Sequence, residues 1–380
     1  MVYVHIPFCK KKCGYCDFLS FEADSAEFML LYKNALAEEI KQAKYFLADK
    51  IIESIFIGGG TPTAMPSSFL AEILREIKKY YVSVGAEINI EANPAAQNEN
   101  IFFELARSGV NRVSIGLQAW QNNLLAEIGR IHSREQFVNT FLDARAAGIK
   151  NINVDLMYSL PCQSMRDWDE TLKNVLILEP EHISAYGLTL ESGTRLAAQI
   201  ESGEKKQPDE TTDRAMYRRA KEFLEANSLY QYEISNFAKS GFNCRHNTGY
   251  WKRKPYIGFG LGAHSFLANG SEYGMRWNNT TDIKKYIDAN GSQKKIRENF
   301  TELTKADAMS ETMFLSLRMN DGVSDAEFMY RFGGSYHDEY GDWIKKMLGD
   351  NLLAEQNDSL RLTRKGMDLA NLVMAGFVRG

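Results

Sequence analysis

No apolar run in this chain approaches the roughly 20 residues that a membrane helix needs. The opening residues, MVYVHIPFCKKKC, hold no apolar stretch long enough for a secretory signal. The chain is therefore expected to be cytosolic, in no case integral to a membrane, with a peripheral contact left open. An excess of positive charge is also missing. Lys+Arg of 45 against Asp+Glu of 49 gives −4, so no nucleic-acid partner is expected. Cysteine is scarce and odd in number, five in 380 residues, which argues against a disulfide framework. Internal repeats and low-complexity segments are absent too. What is present is 44% hydrophobic and 25% charged residues, an ordinary globular balance. The length gives room for one large α/β barrel and a smaller domain.

Three of the five cysteines crowd into eight residues, and the other two, Cys162 and Cys244, stand alone. In a reducing compartment such a cluster points to metal or redox chemistry. Cys9-x3-Cys13-x2-Cys16 follows the first expected strand, Val2–Ile6. Structural zinc takes four ligands, and no fourth Cys or His follows closely. Three thiolates on one short loop suit a four-iron cluster with one iron left open for a chelating ligand. Surface cysteines without metal are the bland alternative, and free cysteines are more commonly buried and dispersed.

Beyond this loop the first two-thirds of the chain alternates strands and helices. Further strands are expected at Ser54–Ile57, Glu87–Glu91, Arg112–Ile115, Asn151–Met157 and His182–Leu190. Amphipathic stretches at Glu27–Phe46, Ser67–Tyr80, Asn98–Arg107, Arg134–Ala147 and Met165–Leu176 separate them. Such alternation implies parallel strands joined by helical crossovers. About six βα units fall short of the eight of a closed barrel. An open-sided partial barrel and an open doubly wound sheet both fit the pattern. After about residue 235 the order changes. Residues 240–279 are rich in Gly, Asn, Trp and Tyr, and from about 302 the chain reads as helical, with a small hairpin at Leu352–Ala354 and Ser359–Leu362. A last helix, Arg364–Phe377, is expected to be capped by Thr363. The implied division is 1–239, 240–300 and 301–380, the last a small helical, winged-helix-like domain.

Polar residues gather where strands end. Gly58-Gly59-Gly60-Thr61 closes the second strand, and glycine there lets backbone groups approach a small charged ligand. A plain tight turn is the commoner use of such a run, but α/β ligand sites form at the C-terminal ends of strands. Glu91, Gln118 and Asp155 occupy three more strand ends, either capping helices or lining a barrel mouth. Arg130, in GRIHS, could pair with a carboxylate.

CxxxCxxC after the first strand, with aromatic Tyr15 before the last cysteine, resembles the radical S-adenosylmethionine superfamily. The resemblance implies a partial, open TIM-like barrel and a four-iron four-sulfur cluster on Cys9, Cys13 and Cys16. The methionine amino and carboxylate groups would chelate the open iron, and the reduced cluster would cleave the sulfonium to a deoxyadenosyl radical. It also implies that Gly59, Gly60 and Thr61 belong to the strand that binds the methionine amino group. Glu91 and Asp155 would contact S-adenosylmethionine, with Gln118 and Arg130 near it and Tyr3 a further contact. YVHIPFC, GGGTPT, IEANP, SIGLQ, GRIHS and DLMYSLP together resemble the oxygen-independent coproporphyrinogen oxidase family over the whole chain.

That family splits into oxidases and heme chaperones of the HemW type. Three features are similar to the chaperone branch. Phe18 stands where oxidases have a further cysteine, only eight residues precede Cys9, and His246-Asn247-x-x-Tyr250-Trp251 matches the chaperones' HNxxYW heme motif. A neutral histidine is a standard axial ligand of heme iron, and Tyr250 and Trp251 suit a porphyrin face. Without the resemblance, local hydrogen bonding and packing would be the commoner use of all four residues. Cys244 reads as a buried thiol, with iron ligation or covalent attachment as alternatives. His5 is expected to support the cluster loop, and His132 and His264 to line the mouth or cap helices. The implied function is a heme chaperone that binds heme and passes it to an acceptor, such as a heme-dependent respiratory enzyme. Radical decarboxylation of coproporphyrinogen III to protoporphyrinogen IX is the alternative, and a radical enzyme for another substrate is a third reading. The aromatic segment around Trp251 could also serve an interface, including that of a homodimer.

Overall fold

The computed structural model describes residues 1–22, 25–47, 50–94, 100–268 and 271–378. Among these the central sheet has nine strands: β1 (Val2–Ile6), β2 (Ile52–Gly59), β3 (Val82–Ala92), β4 (Arg112–Gln118), β5 (Asn151–Tyr158), β6 (His182–Gly187), β7 (Tyr230–Glu233), β8 (Asn236–Ala238) and β9 (Ile257–Phe259). Their spatial order is β9-β1-β2-β3-β4-β5-β6-β8-β7. β1 to β6 are parallel and in sequence order. β8 and β7 extend the β6 edge antiparallel. β9, a short strand within the 240–279 segment, lies parallel on the outer side of β1, with Val2 opposite Ile257.

Strand order decides what periodicity left open. Right-handed crossovers that always step the same way place the connecting helices on one face, whereas a doubly wound sheet reverses its order part-way. The fold is therefore an α/β sheet wound in one sense. Among the described residues β7 and β9 do not pair, so the barrel is not closed.

The two faces of this sheet differ sharply. Val2, Val4, Ile55, Ile57, Ile88, Ile90, Val113, Ile115, Ile152, Val154 and Ile183 alternate along the strands and form the main core under the helices. The intervening positions are Tyr3 and His5, Ser54 and Phe56, Glu87, Asn89 and Glu91, Arg112 and Ser114, Asn153 and Asp155, His182 and Ser184. A barrel interior is ordinarily filled by branched apolar side chains. Here the concave face is polar.

The helix expected at Glu27–Phe46 breaks into Ala26–Gln42 and Lys44–Leu47. Ile101–Arg107 accounts for most of Asn98–Arg107, whose first two positions lie outside the described residues. Residues 240–302 carry β9 and a separate antiparallel sheet, His264–Leu267, Met275–Asn279 and Arg297–Glu302. The tail has its own core, including Met313, Phe328, Ile344, Leu360 and Phe377. Its helices Lys305–Ser316, Asp325–Phe332 and Tyr336–Gly349 pack with a small antiparallel sheet in which Ser359–Leu362 lies between Val323–Ser324 and Leu353–Gln356. Thr363 accepts the Gly366 N–H as its cap, but the last helix divides at Leu369 into Arg364–Asp368 and Ala370–Ala375.

Candidate functional site

The cysteine loop leaves the C-terminal end of β1 and is braced from inside the sheet. His5 Nε2–H donates to the Leu19 carbonyl at 2.8 Å, and His5 Nδ1 accepts the Tyr3 hydroxyl at 3.0 Å. On the far side, Gly14 N–H donates to the Ile128 carbonyl and Leu196 N–H to that of Gly14. Behind the loop the end of β2 comes very close. A Cβ on Gly60 would lie 2.8 Å from the Phe8 carbonyl oxygen and 3.1 Å from Cys9 Sγ, and one on Gly59 (φ +111°) would meet the His5 ring. Only glycine fits there.

The three thiols share one open cavity with Tyr15, Gly59, Gly60, Thr61, Glu91, Gln118, Arg130 and Asp155. Four separate strands thus bring residues to the loop in the C-terminal half of the sheet. Tyr3 is not among the lining residues. It sits one layer below, bonded to His5 and beside Glu91.

Charge explains what this cavity can hold. Glu91 accepts the Gly59 N–H at 3.1 Å, yet burial, and next the Asp155 carboxylate, push its pKa up to about 8. Asp155 is likewise raised by burial. Two buried carboxylates facing one cavity suit a cationic ligand, such as an ammonium or sulfonium. Arg130 Nη1 lies 3.6 Å from Cys13 Sγ and Nη2 donates to the Gly116 carbonyl at 2.8 Å. Its Nε and the buried Gln118 Oε1 have no hydrogen-bond partner among the described residues. Gln118 also holds a left-handed backbone, φ +69°, a conformation that collects at functional sites.

Among the described residues no group of three His, Cys, Asp or Glu side chains is placed to share a single metal ion. Three thiols around one loop fit a polynuclear cluster instead, in which each thiolate takes its own iron. Thr61 Oγ1 at 3.5 Å from Cys9 Sγ and the Arg130 guanidinium offer hydrogen bonds to the sulfurs. The residues present fit both an iron–sulfur cluster and S-adenosylmethionine.

The histidine motif lies elsewhere. Helix Arg245–Trp251 packs against the N-terminal halves of β2 and β3, the end of the sheet opposite the cavity. Glu87 draws in its first turn, accepting the N–H of Arg245 and of His246 at 3.1 Å each, with Cys244 Sγ at 3.5 Å. His246 is 1% exposed, its Nδ1 is 3.0 Å from Ser54 Oγ, its Nε2 is 3.1 Å from Tyr250 Oη, and its ring lies on Phe56. Burial lowers its pKa to about 3. Trp251 lies under the Arg318 guanidinium at 4.3 Å, and Asn247 and Tyr250 are half-buried. In this conformation His246 has no free nitrogen for iron, so the four residues do not fit heme as they stand. Cys244 is a buried thiol, pushed up to about 12 by desolvation. Neither His132 nor His264 lines the cavity. His132 is buried, with its pKa lowered to about 3, and His264 is exposed on the small antiparallel sheet.

Residues 3–175 match the Radical SAM superfamily model and residues 303–369 the HemN C-terminal domain. The chain is 33% identical over 378 residues to the heme chaperone HemW of Bacillus subtilis (strain 168), spanning 99% of this chain and 98% of that protein. It is 34% identical to the heme chaperone HemW of Lactococcus lactis subsp. lactis (strain IL1403), spanning 99% and 96%. The chain belongs to the HemW family of radical SAM proteins. Its fold is that of the coproporphyrinogen III oxidase (HemN) from Escherichia coli, with a TM-score of 0.86 over 99% of this chain and 89% of that one, at 22% identity.

Radical SAM membership implies the cluster and S-adenosylmethionine, and on binding them this site would supply one-electron chemistry. Sequence reasoning missed Ser20, Ser114 and Gly116 of the cavity lining. Ser114 and Gly116 share the alternation of Arg112 and Gln118, a period-2 signal that was available. For Ser54 and Glu87, which seat His246, no local signal existed.

Proposed function

We propose that this HemW-family chain is a heme chaperone, binding heme and passing it to a heme-dependent acceptor protein, a respiratory enzyme being the class expected. The observation that carries the reading is end-to-end similarity to two chains named as heme chaperones, each above 30% identity. Phe18 adds to it, 64% exposed at the cavity rim where the oxidase branch is expected to carry a cysteine. In this reading Cys9, Cys13 and Cys16 hold the cluster. Gly59, Gly60, Thr61, Glu91, Gln118, Arg130, Asp155 and Tyr15 hold or orient S-adenosylmethionine, with Tyr3 supporting them from below. Glu91 and Asp155 meet the ligand's positive charge, and Arg130 stays by the sulfurs. Heme at His246, Asn247, Tyr250 and Trp251 requires helix Arg245–Trp251 to leave its seat, because both ring nitrogens are engaged.

The test is a hemin titration followed by absorbance, with wild type beside His246→Gln, which retains hydrogen-bonding capacity but removes the imidazole. A saturable band near one equivalent that shifts in the variant supports the reading. Absence of specific hemin binding, together with porphyrinogen-dependent release of deoxyadenosine, would replace it with the oxidase reading.

A further inference from the structure

The cavity and the histidine motif sit at opposite ends of the sheet, yet one file of buried side chains runs between them. It begins at Asp155 in the cavity lining, whose Oδ1 accepts Asn153 Nδ2–H at 2.8 Å. Asn153 Oδ1 is 2.7 Å from His182 Nδ1, His182 Nε2 is 2.8 Å from Tyr232 Oη, and Cys244 N–H donates to that same oxygen at 3.2 Å. Asn153, His182, Tyr232 and Cys244 are all buried. The next residues, Arg245 and His246, are those held by Glu87.

The polarity of this file is set at its cavity end, by Asp155 and by the Ser184 hydroxyl, which donates to Asn153 Oδ1 at 3.1 Å. An ionised Asp155 only accepts, so Asn153 must present its amide N–H there and its oxygen to His182. His182 then carries its proton on Nδ1, Nε2 accepts from the Tyr232 hydroxyl, and the tyrosine oxygen keeps a lone pair for Cys244. Reversal at Asn153 forces the other imidazole tautomer. Nε2–H then competes with Cys244 N–H for the tyrosine oxygen, and the hydroxyl proton loses its acceptor. Such a chain has one fully paired arrangement, and reversal at any link propagates to the others. A cation at Asp155 holds that carboxyl as acceptor-only and selects the arrangement seen here.

We propose that the file Asp155–Asn153–His182–Tyr232–Cys244 couples the two ends of the sheet, so that a cationic adenosyl ligand in the cavity tightens the seat of His246 and opposes heme there. The inference concerns Tyr232 and His182 as positioning residues, and its heme arm rests on the chaperone reading. Linkage requires that the effect be reciprocal.

The experiment uses full-length, cluster-reconstituted protein under anaerobic conditions, comparing wild type with Tyr232→Phe. Amide hydrogen exchange across residues 244–251 is measured with and without S-adenosylmethionine, and hemin affinity is measured in the same two states. In wild type the ligand slows exchange across 244–251 and weakens hemin binding by about fivefold, the weight of one buried hydrogen bond. In Tyr232→Phe, S-adenosylmethionine still binds and both responses vanish. Exchange at 244–251 that ignores the ligand in wild type overturns the proposal, as does a full response in Tyr232→Phe. If Tyr232→Phe does not fold, Asn153→Ser cuts the file at another link and is read the same way. A ligand-dependent exchange response without any hemin binding leaves the coupling standing and sinks the heme reading instead.

Discussion

Glu39 offers a sharp test of how the cluster loop is supported from behind. It lies on helix Ala26–Gln42, 1% exposed, and accepts from Tyr286 Oη at 2.6 Å, Asn279 Nδ2 at 2.7 Å and Gly260 N–H at 2.9 Å. Tyr32, beside this network, donates to the His5 carbonyl at 2.7 Å and so joins it to the end of β1. Burial raises the Glu39 pKa from 4.5 to about 7, against the pull of its three donors. A carboxyl raised on folding is better tolerated protonated. Its contribution to stability is complete below the unfolded value of 4.5 and is lost as pH rises to about 7. The shift corresponds to about 3 kcal/mol in all, most of which falls between pH 5 and pH 8. Glu39→Gln removes the titration at nearly constant volume, whatever it costs in rearranged hydrogen bonds. The assay is urea unfolding of wild type and variant at pH 5, 6, 7 and 8, followed by tryptophan fluorescence. The difference in stability, variant minus wild type, is expected to grow by about 2–3 kcal/mol in the variant's favour across that range. A difference constant to within about 0.5 kcal/mol would refute the reasoning.

Replacing Cys9, Cys13 and Cys16 together with Ala should remove iron and visible absorbance, and iron retained at the wild-type level would contradict the cluster assignment. Gly60→Ala forces a methyl against the Phe8 carbonyl and Cys9 Sγ, an overpacking that costs about 1–3 kcal/mol. It should appear as a lower iron-to-protein ratio after reconstitution. Glu91→Gln should weaken S-adenosylmethionine about ten- to a hundredfold, the loss of a buried charge-assisted contact. Because the Glu91 pKa of about 8 must be overcome to expose a carboxylate, wild-type affinity should rise with pH up to that value, and calorimetry should find a shallower slope in the variant. His246→Ala leaves Ser54 and Tyr250 without their partner and a void beside Phe56. It should lower stability by about 2–4 kcal/mol in the absence of any heme, and a melting temperature unchanged without heme would show that the ring is not seated as described.

What could be read from the sequence follows from distance along the chain. Cys9, Cys13 and Cys16 are neighbours, and Gly59–Gly60, Glu91, Gln118 and Asp155 each stand out as glycine or polar positions in or beside an apolar strand run. Parallel strands bring such positions together without further information, so the cavity was legible. The choice between a partial barrel and a doubly wound sheet was not, because strand order is a tertiary property. Tyr3 pointed toward the site but lies a layer below it. His246 was visible as a motif, yet its surroundings were not. Ser54 is 192 residues away in sequence and Glu87 159, and nothing in HNxxYW reveals that both ring nitrogens are taken.

The position of β9 sets an order of assembly. β1 carries the cysteine loop at its end and lies between β2 and β9, with Val2 opposite both Ile55 and Ile257. The pairing with β2 closes a short segment, whereas the pairing with β9 brings together residues more than two hundred and fifty positions apart. Contacts of such separation form late, since a long loop must be closed before any of them is gained. Of the strands of this sheet β1 comes earliest in the chain and is the last to gain both neighbours, so its cysteine loop stands beside an open edge until Ile257–Phe259 is in place. A chain truncated in the 240–300 segment would leave the cluster loop standing on an unprotected edge.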